Sequence, residues 1–167
     1  MSCSICGHTE ETNAHAVLSC PLASQQDTPL PGPPMIGYRK LNFDGSSLNN
    51  GFWGWGFVLR NHDGDVVPLG AKHGAHSAGP IIEEARSCLF AIKSAFAFGA
   101  RSVIVEGDCL PLITILKSHQ VYDDAVSLFA RDILSFSARF DFVCWSFVKR
   151  GGNRVAHDIA HRQPFCL

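Results

Sequence analysis

No stretch of the 167-residue sequence reaches the roughly 18 uninterrupted apolar residues that a membrane-spanning helix needs. The best candidate, Leu89 to Phe98, is interrupted by Lys93 and Ser94. The opening stretch, MSCSICGHTEE, has neither a basic n-region nor an apolar h-region, so no secretory leader is expected. An even complement of cysteines is also missing. There are seven, and without a leader a disulfide framework is not the expectation. These absences point to an intracellular, reducing setting, with nothing to separate nucleus from cytoplasm and with no membrane partner. Excess charge is lacking too: 14 basic residues face 15 acidic ones, for a net charge of −1. A polyanion partner would have to be met by a local surface rather than by the field of the whole molecule.

Apolar residues make up 46% of the chain and charged residues 17%, the balance of a globular protein with a real core. A monomer of one ordinary domain plus a small appendage is expected. Composition divides the two. Residues 24–37, SQQDTPLPGPPMIG, hold four prolines and two glycines and read as an extended linker. Residues 1–23 before it are rich in Cys and His, and a domain of residues 38–163 follows.

Within that domain YRKLNFDGS alternates as a half-buried strand does, and ends near Gly45. WGFVLRN and DVVPLGAK read as two further strands joined through HDGD, where Asp63-Gly64 is a hairpin turn signal. Pro80 to Gly99 reads as a helix, with proline at its start and glycine at its end. RSVIVEG is short, β-branched and uninterrupted, the pattern of a fully buried strand. Asp108 to Ser118 and Asp124 to Ala138 read as helices, FDFVCWSFV as a strand, and Asn153 to His161 as a last helix. The order β-β-β-α-β-α-α-β-α predicts an α/β fold, a mixed sheet with helices packed on it.

The helix carries two adjacent glutamates in IIEEARSCLFAI. Ile81, Ala85, Cys88, Ile92, Ala95 and Phe96 make one apolar stripe; Glu84 lies about 70° from its centre and Glu83 about 170° away. Glu83 is therefore expected in solvent and Glu84 at the edge of the buried face. A carboxylate there needs a cationic partner, a proton or a metal ion. Asp44 closes the first strand, and Asp108 follows a buried strand at the carboxyl end, where α/β sheets gather ligands. Each has a plainer reading, a turn for Asp44-Gly45 and a helix cap for Asp108. Taken together, three acids at three element ends suggest a site for a hard cation such as Mg²⁺, which takes oxygen ligands.

LNFDGSS, GWGFVLRNHDG, EEARSCLFAIKSAFAFGA, VIVEGDC and VKRGGNRVAHDIA, in that order and spacing, resemble the ribonuclease H-like domain found in plants and related to non-LTR retrotransposon polyproteins. The resemblance covers about residues 38–163. It implies a five-stranded mixed sheet, three antiparallel strands then two parallel, and metal-dependent cleavage of the RNA strand of an RNA–DNA hybrid. By motif match Asp44, Glu84 and Asp108 are the first three acidic ligands for two Mg²⁺ (or Mn²⁺) ions, with Asp44 between them. The fourth ligand is normally an aspartate in the last helix. Here His157 takes that register and Asp158 stands one step on. Imidazole is a poorer Mg²⁺ ligand than carboxylate.

Hybrid recognition reads 2′-hydroxyls and backbone across the minor groove. Asn42, Ser46 and Asn153 are the candidate contacts, and Gly54 and Gly56 are expected to let backbone approach the nucleic acid closely. Trp53 and Trp55 are candidates for stacking, although a packed strand tryptophan is the commoner case. Basic residues gather toward the end of the chain, Lys149, Arg150 and Arg154 among them, as a phosphate edge or simply as a solvated helix face.

In the front segment Cys3, Cys6, His15 and Cys20 have the spacing of a tetrahedral zinc site. The segment resembles the tail of the zinc-binding domain between the reverse transcriptase and ribonuclease H regions of the same polyproteins. Cys88, Cys109 and Cys144 have apolar surroundings and are expected in the core. Two functions compete: a hybrid-specific ribonuclease, and a domesticated nucleic-acid-binding module with weak or lost catalysis. A related 3′–5′ exonuclease would want a second acid two residues after Asp44, where Ser46 stands.

Overall fold

The computed structural model describes residues 32–75, 78–162 and 165–166. The Cys/His segment with Cys3, Cys6, His15 and Cys20 therefore lies outside the described residues, as does most of the linker.

Three strands, β1 (Arg39–Ser47), β2 (Phe52–Arg60) and β3 (Val66–Ala75), form an antiparallel meander. The β2–β3 connection closes on Asn61, whose Oδ1 accepts from the backbone N–H groups of Asp63 and Asp65, while Gly64 supplies the positive φ of 86°. The helix α1 (Pro80–Ala97) follows, with Pro80 in its first turn and Gly99 at φ 87° beyond its end. The strand β4 (Ser102–Gly107) then pairs parallel to β1, and β5 (Phe142–Phe147) parallel to β4. Between them lie α2 (Leu110–Ser118) and α3 (Ala125–Ser137). Asp124 caps α3 by accepting from the Ser127 N–H at 2.8 Å, and that bond holds its carboxyl below the usual range.

The main sheet runs β3-β2-β1-β4-β5, three antiparallel strands then two parallel, as the sequence reading expects. The short helix α4 (Arg154–Ala160) follows β5. A two-residue strand, β6 (Phe165–Cys166), pairs antiparallel with β3 at Gly70 and Ala71. Periodicity cannot reveal so short a segment.

Period two assigns the faces. Leu41 and Phe43 of β1, Phe57 and Leu59 of β2, and Val103 and Val105 of β4 meet α1 through Ala85, Cys88, Ala91, Ile92 and Ala95 in one core. Burying each large apolar side chain contributes about 1.5–3 kcal/mol. Leu112, Ile113 and Leu116 of α2 and Ala130 and Ile133 of α3 complete that layer. The other face carries Val58 and Ala71 against Ile159 of α4. Cys88 is in the core, while Cys109 and Cys144 are half-buried. Among the described residues no helix is long and apolar enough to cross a membrane.

Gly54 and Gly56 serve this packing. A Cβ at Gly54 would collide with the Ala160 carbonyl, and one at Gly56 would lie 2.5 Å from the Ala160 nitrogen. The backbone approaching β2 here is that of α4. The expectation that these glycines admit nucleic acid is thus corrected: the space is taken by protein.

Candidate active site

β1 and β4 run parallel and adjacent, so their carboxyl ends emerge side by side. Asp44 is near the end of β1, only 2% exposed, and Asp108 follows β4 directly. The first turns of α1 lie against β1 at Gly45, where an added Cβ would sit 2.7 Å from the Glu83 carbonyl oxygen. That close contact brings Glu84 to the strand end, and its Oε2 accepts from the Gly45 N–H at 3.3 Å. Asp44, Glu84 and Asp108 each offer a ligand oxygen, and these atoms all lie within 4.8 Å of one another.

Three carboxylates so close cannot all stay ionised at no cost. Burial, with the charges of Asp44 and Asp108 added, pushes the Glu84 carboxyl up to about 9. Burial and Asp44 raise Asp108 as well, opposed by a hydrogen bond from the Asn153 Nδ2 at 3.2 Å. Arg150 acts on both acids in the opposite sense. The site opens into a cleft of about 770 Å³ that also takes in Trp53, Arg150, His157 and His161.

α4 turns His157, and not Asp158, toward the acids. His157 Nδ1 lies 3.0 Å from Asp44 Oδ2 and 2.9 Å from Ser46 Oγ, and the Ser46 hydroxyl donates to the same Asp44 oxygen. His161 lies edge-on to His157 with ring centroids 4.6 Å apart. Asp158 is exposed and 4.0 Å from Arg154.

The family model described as reverse transcriptase-like matches residues 42–163, a span that begins before Asp44 and ends beyond α4. The chain belongs to the reverse transcriptase-like family. No curated protein matches the sequence. Among solved structures it is similar to RNase H1 from the halophilic archaeon Halobacterium salinarum NRC-1, at 24% identity and a TM-score of 0.66, over 74% of this chain and 94% of that one. The N-terminal RNase H domain of rv2228c from Mycobacterium tuberculosis gives 20% identity and a TM-score of 0.67, over 74% of this chain and 90% of that one. LC11-RNase H1 in complex with RNA/DNA hybrid gives 16% and 0.65, over 72% of this chain and 92% of that one. The fold of this reverse transcriptase-like chain is ribonuclease H-like.

Glu83 corrects the helix-face expectation. It is not in solvent but 1% exposed. Its Oε1 accepts from Arg86 at 2.9 Å and from the Ala78 N–H at 3.2 Å, and its Oε2 accepts from the Trp55 indole at 3.0 Å. The apolar stripe marks only part of the buried side of α1, which Glu83 and Ser87 extend. Ser87 donates to the Asp44 carbonyl at 2.7 Å, a second tie between α1 and the end of β1.

The three short polar residues expected at the hybrid are also interior. Asn42, Ser46 and Asn153 are 3%, 5% and 1% exposed and hydrogen-bond within the protein, while Lys149, Arg150 and Arg154 are exposed. Glu106 and Lys40, not singled out from sequence, are buried near Asn42. The signal was present: Lys40, Asn42, Asp44 and Ser46 alternate with apolar or small residues, so they share one face of β1.

Proposed function

We propose that this chain is a divalent-metal-dependent ribonuclease that cleaves the RNA strand of RNA–DNA hybrids. The observation that carries the reading is the convergence of Asp44, Glu84 and Asp108, from three separate elements, within 4.8 Å at the carboxyl ends of adjacent parallel strands. The donor set fits a hard cation, being all carboxylate oxygen, and such a cation would offset the burial and the Asp44 and Asp108 charges that raise Glu84. Asp44, Glu84 and Asp108 would hold Mg²⁺ or Mn²⁺, two ions, with His157 at the fourth position. Such a pair, when bound, supplies water activation and stabilises the leaving oxygen of an in-line displacement.

The chain's own groups prepare the site. The Gly45 N–H holds Glu84, and Ser46 and His157 hold Asp44. Arg150 places positive charge in the cleft, with Lys149 and Arg154 exposed nearby, and these three neutralise backbone phosphates. The named ribonuclease H neighbours, one in complex with RNA/DNA hybrid, support the substrate class. The spacing of Cys3, Cys6, His15 and Cys20 supports one zinc ion held apart from this site.

A binding module with weak or lost catalysis is the second reading. One observation favours it: the fourth position carries an imidazole, and its Nδ1 is already engaged by Asp44 and Ser46. Incubation with labelled hybrid, RNA duplex and DNA duplex, in Mg²⁺ or Mn²⁺, separates the two. Fragmentation of the RNA strand in the hybrid alone supports the ribonuclease. Retention of hybrid with no fragmentation in either ion supports the binding module.

A further inference from the structure

Behind the carboxylates runs a chain of buried polar side chains that no substrate can touch. Asn153 Nδ2 donates to the Phe43 carbonyl at 2.8 Å and to Asp108 Oδ1 at 3.2 Å. Its Oδ1 accepts from Asn42 Nδ2 at 3.4 Å, and the same Asn42 nitrogen donates to Glu106 Oε2 at 3.0 Å. Asn42 Oδ1 accepts from Arg60 Nη1 at 3.3 Å. Glu106 Oε1 faces Lys40 Nζ at 3.2 Å as an ion pair, off the line of a hydrogen bond. Lys40, Asn42, Glu106 and Asn153 are 8%, 3%, 4% and 1% exposed.

Stability does not account for such a set. Each buried polar group left unpaired costs about 1–3 kcal/mol, and apolar replacement of a whole buried ionic group is often neutral or stabilising. Asn153 adds a second observation. It occupies the N-cap of α4, where asparagine ordinarily accepts from the helix's own amides, yet its side chain makes no such bond and turns into the sheet. The donors also have a direction. Glu106 and Arg60 fix which end of the Asn42 amide faces inward, and Asn42 in turn fixes Asn153 with its N–H toward Asp108. The reversed Asn153 amide would set a carbonyl oxygen against a carboxylate.

We propose that Asn153 is a positioning residue for Asp108, oriented through Asn42 by Glu106 and Arg60, and that this relay sets how tightly a divalent cation is held. The proposal rests on the metal-site reading above, but it is tested without nucleic acid.

Mn²⁺ alone is the probe, titrated calorimetrically into the full chain, with urea unfolding in chelator run on every variant. Asn153→Ala should weaken Mn²⁺ binding by about tenfold or more, the usual range for groups that orient metal ligands. Asn42→Ala should weaken it in the wild-type background, but by less than about twofold when Asn153 is already alanine, because a relay is non-additive. If Asn153→Ala does not fold, Asn153→Ser, too short to reach Asp108, takes its place in the same cycle. Unchanged affinity, or losses that multiply independently, would overturn the relay while wild-type binding keeps the metal reading intact. A wild type that binds no Mn²⁺ overturns the metal reading and the relay with it.

Discussion

At the scale of single residues, Glu84 is where folding and function conflict. Its carboxyl is raised to about 9 by burial and by Asp44 and Asp108, and Asp108 is raised in the same direction. Between the ordinary carboxyl range and about 9, the metal-free folded state therefore holds a proton that the unfolded state has released. The folded state binds more protons, so stability must fall as pH rises through that window. In chelator, urea unfolding should show this decline across pH 5 to 9, with Mn²⁺ or Glu84→Gln flattening it. A decline equally steep in Glu84→Gln would place its source elsewhere. His157 poses the second residue-scale question, because Mn²⁺ accepts imidazole more readily than Mg²⁺ does. The wild type should cleave hybrid faster in Mn²⁺, and His157→Asp should raise the Mg²⁺ rate and narrow that gap. Asp158→Asn, at an exposed position beside Arg154, should change either rate less than about twofold, as surface substitutions usually do. Loss of activity in Asp158→Asn with none in His157→Ala would reverse the roles of the two.

At the scale of elements, α1 shows what could be read from sequence and what could not. Its limits were legible because Pro80 and Gly99 are local signals, and β4 because a short β-branched run has few alternatives. Glu84 was legible from helix geometry together with the motif match. Glu83 was not, because its burial depends on groups distant in sequence: the Trp55 indole on β2, and the Phe129 ring of α3 over which its helix neighbour Arg86 lies. Gly54 and Gly56 were misread for the same reason, since the backbone they admit belongs to α4, about a hundred residues further along the chain. Glu83 now has a testable weight. Glu83→Ala strands the Trp55 N–H and the Arg86 guanidinium, and should cost about 1–3 kcal/mol in urea unfolding, since Arg86 keeps partial access to water. A loss below about 0.5 kcal/mol, the level of an ordinary surface change, would mean the clamp carries no weight.

At the scale of the whole molecule, the order of the strands places the acidic cluster. Three antiparallel strands followed by two parallel ones bring the ends of β1 and β4 together, and α1 and α4 deliver Glu84 and His157 to them from opposite faces of the sheet. The front segment, outside the described residues, is read from its Cys/His spacing and its resemblance to a zinc-binding tail. Deleting residues 1–23 should remove one equivalent of zinc by elemental analysis and leave the domain's unfolding transition in place; zinc-free protein prepared under reducing conditions would contradict that reading. The central claim is that three converging carboxylates make this fold a hybrid-specific ribonuclease, and one measurement bears on it most directly. Chelator-treated wild type, Asp44→Asn and Glu84→Gln are given an RNA–DNA hybrid labelled on each strand, and Mn²⁺ is then added. The account predicts that wild type fragments the RNA strand only, only after Mn²⁺, and that both variants leave it whole. Fragmentation that persists in both variants, or that spreads to the DNA strand, would contradict it.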